Sequence, residues 1–302
     1  MSVKKMLFIY NPLSGKSQIR SNLLDIIDIF VKAGYEVTAH PTQCRGDATR
    51  TVIDREPIYD IVVCSGGDGT LDEVVTGMMH SQERIPIGYI PAGSTNDFAT
   101  SIHIPNNMRK AADTVVEGKD FLCDIGEFND RNFVYIAAFG LFTDVSYETR
   151  QDMKNLLGHM AYMLEGMKRL STIDSYHMKI KYDGGVIEDE FMYGMITNSV
   201  SVGGFRGITG NKIKFDDGVF EVTLIKKPSN LIELNEIAAS FVDRRINSEC
   251  MYSFKASWLD IETDNVNWTL DGEYGGNPTK IRIADAKQAL AFKVSQETGV
   301  AL

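Results

Sequence analysis

The sequence predicts an N-terminal doubly wound α/β domain followed by a C-terminal β-sandwich domain. Its length of 302 residues is about where a single hydrophobic core stops growing and a chain divides into two domains. Strand and helix signals alternate in the first part of the chain, whereas strand signals dominate the second part. We expect residues 1–125 to form the α/β domain, with the tail 290–302 able to return to it, and residues 126–289 to form the β-rich domain.

The first domain is predicted from short apolar runs that alternate with segments of helical periodicity. Residues 6–10 and 61–64 are almost wholly apolar, which is typical of parallel strands buried on both faces of a sheet. Gly34 ends a helix that is dense in Leu and Ile. Strands are expected at residues 6–10, 35–40, 61–64 and 87–90, and helices at residues 18–33, 47–56, 71–80 and 107–117.

The second domain is predicted to be mostly antiparallel, a sandwich or a barrel. Strands are expected at residues 133–136, 178–182, 186–199, 219–225, 253–262, 280–284 and 289–294, and helices near residues 149–170 and 230–242. Asp183-Gly184-Gly185 has the composition of a hairpin turn. No internal repeat and no linker rich in Pro, Gly or Ser separates the two domains.

Charge and composition exclude several classes of function. The chain carries 31 Lys and Arg against 41 Asp and Glu, a formal net charge of −10, which disfavours non-specific nucleic-acid binding. The four cysteines are scattered and have no zinc-binding spacing, which predicts free thiols in a reducing compartment. No stretch approaches the 18 apolar residues of a transmembrane helix, so we expect a cytoplasmic protein without a membrane span.

The strongest chemical signal is the loop Ser-Gly-Gly-Asp-Gly-Thr at residues 65–70, which follows a buried strand and opens a helix. Three glycines in four residues let backbone N–H groups approach an anion, and the helix N-terminus adds a positive dipole end. Asp68 would repel a phosphate unless a Mg²⁺ ion lay between them. An ordinary glycine-rich turn is the alternative for such a loop taken alone.

Two further loops of the same kind end the first and fourth strands. They are Asn-Pro-Leu-Ser-Gly-Lys at residues 11–16 and Pro-Ala-Gly-Ser-Thr-Asn-Asp-Phe at residues 91–98. In a doubly wound sheet, loops after parallel strands share the carboxyl edge, where ligands bind. Three loops with small residues, hydroxyls and backbone donors at one edge predict a site for a phosphate-containing ligand.

In this order and spacing, the motifs Asn-Pro-x-Ser-Gly-Lys, Gly-Gly-Asp-Gly-Thr-Leu-x-Glu-Val-Val and Pro-x-Gly-Ser-x-Asn-Asp-Phe resemble the diacylglycerol kinase catalytic family. That family includes soluble bacterial lipid kinases, sphingosine kinases and ceramide kinases. The resemblance extends from Lys4 to Val294. The Gly-Gly-Asp-Gly core alone is less specific, because NAD kinases and phosphofructokinases share it.

The resemblance implies an ATP site with Mg²⁺ in the first domain. Asp68 would hold the ion that accompanies ATP. Asp72 stands where relatives usually carry Asn, and we expect this change to affect the helix cap and not the activity. The residues implied in nucleotide binding are Asn11, Pro12, Leu13, Ser14, Gly15, Thr42, Gly66, Gly67, Asp68, Gly69, Thr70, Leu71 and Ser94.

In the second domain the resemblance implies a base and a second ion. Glu273 of the Asp-Gly-Glu motif would take the proton of the lipid hydroxyl. In the loop Lys-Phe-Asp-Asp-Gly-Val, Asp217 would bind a structural Mg²⁺ through its side chain, and Lys214 and Val219 through their carbonyls. A plain turn is the alternative for each of these two segments.

The residues agree with phosphoryl transfer on chemical grounds as well, because such transfer needs positioning and charge neutralisation more than covalent help. Asp271 and Glu273 are two residues apart, so on a strand they would face the same side, and in a turn both would line the edge of a cleft. Residues 153–167 carry methionine and leucine at helical spacing, which predicts either a helix packed on the β domain or an adaptable surface for acyl chains.

The predicted function is therefore transfer of the γ-phosphate of ATP to a lipid alcohol, with Mg²⁺, most simply diacylglycerol to phosphatidic acid. Phosphatidylglycerol or another bacterial lipid is an alternative acceptor. An NAD kinase-like enzyme and a non-catalytic nucleotide-binding module are the rival functions. The resemblance also implies transient contact with the membrane surface that holds the lipid, and a homodimer is common among relatives.

Overall fold

The computed structural model describes residues 3–93, 96–140, 173–198, 201–202, 205–206, 214–243 and 249–296. Its chain divides into two units. The first unit contains Met1–Ile125 and Lys287–Leu302, and the second contains Gly126–Ala286. Among the helices of the described part, none combines the length and the apolarity that crossing a bilayer requires.

The first unit is built on parallel strands that alternate with helices. Its sheet has the order β2–β1–β3–β4, with every neighbouring pair parallel. Helix α1 lies beside α5 and α2 beside α3, two helix pairs of the kind that cover a doubly wound sheet. The elements are β1 (Lys4–Tyr10), α1 (Ile19–Lys32), β2 (Tyr35–Pro41), α2 (Asp47–Arg55), β3 (Ile61–Gly66), α3 (Asp68–His80), β4 (Ile87–Pro91), α4 (Asp97–Ser101), α5 (Met108–Glu117) and β5 (Lys119–Phe128).

Burial explains why the first-unit strands are so apolar. Every residue of β3 and β4 is buried, as is the stretch Met6–Ile9 of β1. The last residues of the described chain complete this sheet, because Phe292 pairs with Ile87 in parallel register. The Phe292 ring packs on Phe98 at a centroid distance of 4.7 Å.

The second unit is mainly antiparallel. Strand β9 pairs with β7, β8 and β12, and β14 pairs with β8 and β17. The elements are β6 (Arg131–Phe133), β7 (Ile136–Gly140), β8 (Tyr176–Tyr182), β9 (Gly185–Thr197), β10 (Ser201–Val202), β11 (Phe205–Arg206), β12 (Phe220–Lys226), α6 (Leu231–Asp243), β13 (Met251–Ala256), β14 (Trp258–Thr263), β15 (Trp268–Leu270), β16 (Glu273–Gly276) and β17 (Lys280–Val294), whose last eight residues belong to the first unit.

An aromatic cluster forms the centre of the second core. Trp268 is fully buried, and its ring lies 5.2 Å from Phe128 and 4.8 Å from Phe139, centroid to centroid. Aliphatic side chains from β8, β9, β12, β14 and β17 surround it. The alternation of buried and exposed residues along β8 and β17 reflects strands with one face on the core and one face in solvent.

The prediction of one strand over residues 133–136 is wrong, because the chain bends at Val134 and Tyr135 between β6 and β7. The backbone N–H groups of Val134, Tyr135 and Ile136 all donate hydrogen bonds to the carboxylate of Asp271. A side chain from a distant part of the sequence thus takes donors that a continuous strand would have used for its ladder.

Two other strand boundaries also depend on single side chains. The strand predicted over residues 253–262 is broken at Ser257, whose N–H and hydroxyl both donate to the Asp183 carboxylate at 2.9 Å. The strands predicted at 280–284 and 289–294 form one strand, β17. Gln288 interrupts its regularity with a φ of +52°, and its N–H donates to Asp124 at 2.6 Å.

Several elements of the described residues were not predicted. They are β5, which has ten residues, and the shorter elements α4, β10, β11, β15 and β16, which have two to five residues each. Helix α3 begins at Asp68, three residues before the predicted start. The whole of the helix expected near residues 149–170 and the end of the strand expected at 186–199 lie outside the described residues, whereas the helix expected at 230–242 corresponds to α6.

Candidate active site

Three loops at the carboxyl ends of β1, β3 and β4 meet in the first unit. The N–H of Asn11 donates to the carbonyl of Ser65 at 2.9 Å, and the N–H of Ala92 donates to the carbonyl of Gly66 at 2.8 Å. Main-chain hydrogen bonds therefore tie the first and third loops to the glycine-rich loop between them. This meeting point lies at the sheet edge where ligands bind in doubly wound folds.

Glycines allow these loops to approach one another. Gly15 has a φ of +51°, and a Cβ at this position would lie 1.7 Å from the carbonyl oxygen of Ala92. A Cβ on Gly93 would lie 2.7 Å from the Cα of Gly67. Any larger residue at 15 or 93 would separate the loops, so their contact depends on the absence of side chains.

Asn96 fixes the third loop. It lies in the left-handed region at φ +52° and is buried. Its Oδ1 accepts from the N–H of Gly93 at 2.9 Å, while its Nδ2 donates to the carbonyl of Gly93 at 3.0 Å. Ser94, which the sequence implicates in nucleotide binding, lies outside the described residues.

The first loop is shaped by Asn11. Its Oδ1 accepts from the N–H of Leu13 at 2.9 Å, and its Nδ2 lies 3.5 Å from the hydroxyl oxygen of Thr70 in the glycine-rich loop. A short 3₁₀ turn, Ser14–Ser17, follows. The Leu13 side chain is 74% exposed and so lies in solvent, next to partly buried Pro12.

Asp68 is the first residue of α3. The N–H groups of Thr70 and Leu71 donate hydrogen bonds to the carbonyl of Gly67 at 3.0 and 3.1 Å. The N-terminus of this helix, which begins among glycines, presents the positive end of its dipole at the loop. Gly69 is exposed, whereas Thr70 and Leu71 are buried. The glycine-rich loop therefore combines a helix N-terminus with a carboxylate.

Negative charge accumulates around this helix start. Burial raises the pKa of Tyr89 well above its usual value, and the nearby carboxylates of Asp68 and Asp97 raise it further. The Tyr89 hydroxyl donates to the carbonyl of Gly66 at 3.2 Å. Two carboxylates beside a phosphate-type loop fit a Mg²⁺ ion, because oxygen donors are the ligands this ion prefers and its charge would offset theirs.

Sequence reasoning gave no role to Asp97, although the residue is part of the third motif. Its side chain is buried at the start of α4. Its position after Asn96 in that motif was the available signal, but periodicity does not show that its charge helps to raise the pKa of Tyr89.

The second strand contributes through the loop before α2. Thr42 continues β2, with its N–H donating to the carbonyl of Tyr10 at 2.9 Å. Glu73 of α3 holds the loop, because its carboxylate accepts from the N–H groups of Gly46 and Ala48 at 2.7 and 3.1 Å. Sequence analysis gave Glu73 no role, yet it joins the Thr42 loop to the helix that starts at Asp68.

The two acidic residues of the Asp-Gly-Glu motif face different environments, contrary to the expectation that both would line one edge. Asp271 is 5% exposed, with a φ of +50°. Its carboxylate accepts from the N–H groups of residues 134–136 at 2.5, 3.0 and 2.9 Å. Glu273 begins β16 and is exposed. Of the two residues, Glu273 is the one that is exposed to solvent.

The expected structural metal loop holds an ion pair. Asp217 lies 3.3 Å from the ammonium of Lys255, which also contacts Glu221 at 2.9 Å. Lys214 is exposed, and Val219 is partly buried. One carboxylate and two carbonyls are oxygen donors of the kind Mg²⁺ takes, but Lys255 already supplies positive charge to Asp217. Within the described ranges, no group of three or more His, Cys, Asp or Glu side chains forms a metal cluster.

The comparisons with known proteins agree with this arrangement. Residues 5–128 match the model of the diacylglycerol kinase catalytic domain, and residues 138–291 match the YegS C-terminal NAD kinase beta sandwich-like domain. These matches confirm the predicted fold class, an α/β domain followed by a β-sandwich.

Three similar proteins match this chain along most of its length. A diacylglycerol kinase of Bacillus subtilis (strain 168) is 36% identical over 280 residues, 91% of each chain. A diacylglycerol kinase of Staphylococcus aureus (strain bovine RF122 / ET3-1) is 38% identical over 280 residues, 90% of this chain and 87% of the relative. A crystal structure from Bacillus anthracis, provisionally described as a diacylglycerol kinase, is 25% identical with a TM-score of 0.82 and covers 99% of both chains.

Proposed function

The chain belongs to the diacylglycerol kinase catalytic family, and from that premise we propose that it transfers the γ-phosphate of ATP to diacylglycerol, giving phosphatidic acid. The observation that carries the proposal is the meeting of three glycine-containing loops at Asp68, at the carboxyl edge of a parallel sheet. A triphosphate needs backbone donors and a cation, and this edge has both the donors and a carboxylate to hold the cation.

The nucleotide would lie on the three loops. We assign its contacts to Asn11–Gly15, Thr42, Gly66–Leu71 and Ser94, on the strength of the family motifs. Asp68 would hold the Mg²⁺ that accompanies ATP. When bound, that ion neutralises charge on the phosphate oxygens, while the N–H groups at the start of α3 orient them.

Glu273 is the proposed general base. A carboxylate within hydrogen-bond reach of the acceptor hydroxyl orients the attacking oxygen and takes its proton as the bond to phosphorus forms. Two features support the assignment, the exposure of Glu273 and the engagement of its neighbour Asp271 with the backbone of residues 134–136.

A structural Mg²⁺ at Lys214, Asp217 and Val219 remains part of the proposal. The contact between Asp217 and Lys255 means that an ion here would share its carboxylate with an ammonium group. Isothermal titration of Mg²⁺ into the protein without nucleotide, repeated on Asp217→Asn, measures this site apart from ATP. Loss of one binding event in the variant supports the site, and identical titrations exclude it.

Diacylglycerol is insoluble in water, so the enzyme must meet it at a membrane surface. We propose a protein that stays in the cytoplasm, where ATP is available, and contacts the membrane transiently. The net charge of −10 argues against a nucleic-acid partner. A homodimer is proposed from the family alone, and sedimentation equilibrium would measure it.

The test is transfer of labelled phosphate from ATP with Mg²⁺ to diacylglycerol, phosphatidylglycerol and NAD, each in the same mixed micelles. Labelled phosphatidic acid, lost in Glu273→Gln, supports the proposal. Labelled phosphatidylglycerol phosphate would show a different lipid acceptor for the same kind of reaction, and labelled NADP would assign an NAD kinase-like activity instead. Absence of product with every acceptor would overturn the kinase proposal.

A further inference from the structure

We propose that Asp271 is a positioning residue that fixes the proposed base Glu273 by holding the turn between β15 and β16 against the β6–β7 bend. The inference rests on the proposed function, because it assigns a task to a neighbour of the base. Asp271 itself is buried and bonded to the backbone, so it is not offered as a catalytic residue.

Five hydrogen bonds join Asp271 to one short segment, residues 134–136. Its carboxylate accepts from the N–H groups of Val134, Tyr135 and Ile136. Its own N–H donates to the carbonyl of Ile136 at 2.9 Å, and its carbonyl accepts from the Tyr135 hydroxyl at 3.3 Å. Residues 134–136 thus form hydrogen bonds with both the side chain and the main chain of Asp271.

This arrangement requires an aspartate. A carboxylate is acceptor-only when ionised, and three converging N–H donors satisfy it and offset the cost of burying its charge. An asparagine would present an NH₂ group to N–H donors and lose at least one of these bonds.

The backbone of the turn also depends on these bonds. Asp271 has a φ of +50°, in the left-handed region that side chains other than glycine seldom adopt. Gly272 follows at φ +85°, and no atom lies within 4 Å of the position that a Cβ would take there. The hydrogen bonds to residues 134–136 hold Asp271 in this conformation, which sets the direction in which the chain leaves towards Glu273.

The backbone at Glu273 is also held by β6 and β15. The Arg131 guanidinium donates to the carbonyl of Tyr274 at 2.8 Å, and Leu270 pairs with Glu273 across the β15–β16 ladder. The backbone on both sides of Glu273 is thus held by hydrogen bonds, at Tyr274 one residue after it and at Asp271 two residues before it. A base must be held within about 0.5 Å of its productive place, and an error of about 1 Å can cost roughly 100-fold in rate.

The segment is itself anchored. The Tyr135 carbonyl accepts from the Thr197 hydroxyl at 2.7 Å and from the N–H of Asn198 at 3.1 Å, both at the end of β9. The bend that Asp271 binds is therefore a fixed support and not a loose loop end.

The experiment is a double-mutant cycle on kcat, with saturating ATP and diacylglycerol in mixed micelles. The variants are Asp271→Asn, Glu273→Gln and the double variant, each compared with the wild-type protein. We expect Asp271→Asn to lower kcat by about 100-fold and to leave the KM for ATP within about twofold. In the Glu273→Gln background, the same substitution should change kcat by less than about twofold, because a residue that acts through the base has nothing left to position.

A merely structural role would give a different result. Asp271→Asn would then lower thermal stability, with kcat per folded molecule unchanged or lowered equally in both backgrounds, and either result overturns the inference. If Asp271→Asn does not fold, Arg131→Met tests the other anchor, with a smaller loss of kcat expected that also vanishes in the Glu273→Gln background.

Failure of the proposed function is distinguishable from failure of this inference. A wild-type protein that does not phosphorylate diacylglycerol, or a fully active Glu273→Gln variant, contradicts the proposed function or its base. Full activity of a folded Asp271→Asn variant, beside an inactive Glu273→Gln variant, contradicts only the positioning role.

Discussion

Single side chains decide much of the chemistry proposed for this protein. Asp68 and Asp72 lie one turn apart on α3, and both carry a negative charge near the glycine-rich loop. Only Asp68, as the first residue of the helix, follows directly on the glycines that would contact phosphate. We therefore expect substitutions of these two aspartates to have different effects on activity.

We expect Asp68→Asn to lower phosphate transfer at least 100-fold while leaving the unfolding midpoint close to that of the wild-type protein, because the amide lacks the charge that holds Mg²⁺. Asp72→Asn is the matched control and should keep nearly full activity, since the resemblance to the family implies that Asn is tolerated at this position. Transfer assays and thermal unfolding on both variants check this. Equal losses in the two variants would contradict the role of Asp68.

The contact between Lys255 and Glu221 predicts that removal of the Lys255 ammonium lowers stability by an amount that depends on pH. Burial raises the pKa of Glu221, so the folded state binds its proton more tightly than the unfolded state and stability falls as pH rises from 4.5 through the raised value. Lys255→Met removes the ammonium that opposes this shift. We expect a cost of about 1–2 kcal/mol at about pH 8, and much less at about pH 4, where Glu221 is mostly protonated in both states.

Urea unfolding at the two pH values measures this effect. Lys179→Met is the control, because Lys179 and Glu188 are 3.1 Å apart but 42% and 48% exposed, and such a pair contributes less than about 1 kcal/mol. A cost for Lys255→Met that is the same at both pH values would contradict the assigned charge interaction.

At the scale of elements, side chains that bind backbone decide where strands break. Asp271 bends the segment 133–136, Asp183 separates β13 from β14 at Ser257, and Asp124 binds the irregular point of β17 at Gln288. Each carboxylate is far in sequence from the backbone it binds, or separated from it by whole strands. Periodicity along one segment does not contain this information, so the sequence predicted strands with the wrong continuity.

The loops of the first unit give a prediction of their own. Gly15→Ala places a Cβ against the Ala92 carbonyl and forces alanine to a φ of +51°. We expect ATP binding to weaken by tenfold or more, and stability to fall by about 1–3 kcal/mol, because the first and third loops must move apart. Thermal shift with and without ATP and Mg²⁺ measures both effects.

Gly34→Ala is the matched control for backbone strain. Gly34 has a φ of +88° at the end of α1, and nothing lies within 4 Å of the position its Cβ would take. It should cost about 1 kcal/mol in stability and leave the ATP-dependent shift unchanged. A loss of ATP binding in Gly34→Ala equal to that in Gly15→Ala would mean that loop contact is not the cause.

At the scale of the whole molecule, the chain forms two units, and its C-terminal strand completes the first of them. Phe292 is fully buried in that unit. Both tryptophans of the chain, Trp258 and Trp268, belong to the second unit. Tryptophan fluorescence therefore reports on the second unit, whereas circular dichroism reports on both.

We expect Phe292→Ala to destabilise the first unit by about 3–5 kcal/mol, because it removes a buried ring and leaves a cavity beside Phe98. The transition followed by circular dichroism should move to lower urea, and the one followed by tryptophan fluorescence should move less. Leu122→Ala, at a 46% exposed position of β5, is the control and should move neither. Coincident shifts of both signals would show that the units unfold as one and contradict the prediction.

The sequence by itself determined the fold class, the order of most elements in the first unit and the three loops that meet at its sheet edge. This was possible because buried parallel strands are continuously apolar and because glycine, asparagine and aspartate mark the loops that follow them. The family motifs supplied the roles proposed for Asp68 and Glu273.

Which acidic side chains are exposed and which bind the backbone follows from the three-dimensional fold and not from the sequence pattern. Asp271 and Glu273 look equivalent in sequence. The structure shows that Asp271 is buried and accepts hydrogen bonds from three N–H groups, whereas Glu273 is exposed. Asp217 looks like a metal ligand and lies beside Lys255, while Glu73 and Asp97 gained partners that periodicity could not show. The physical reason is that hydrogen bonds and charge interactions act over a few ångströms between residues far apart in the chain, whereas hydrophobic periodicity is a local property of one segment.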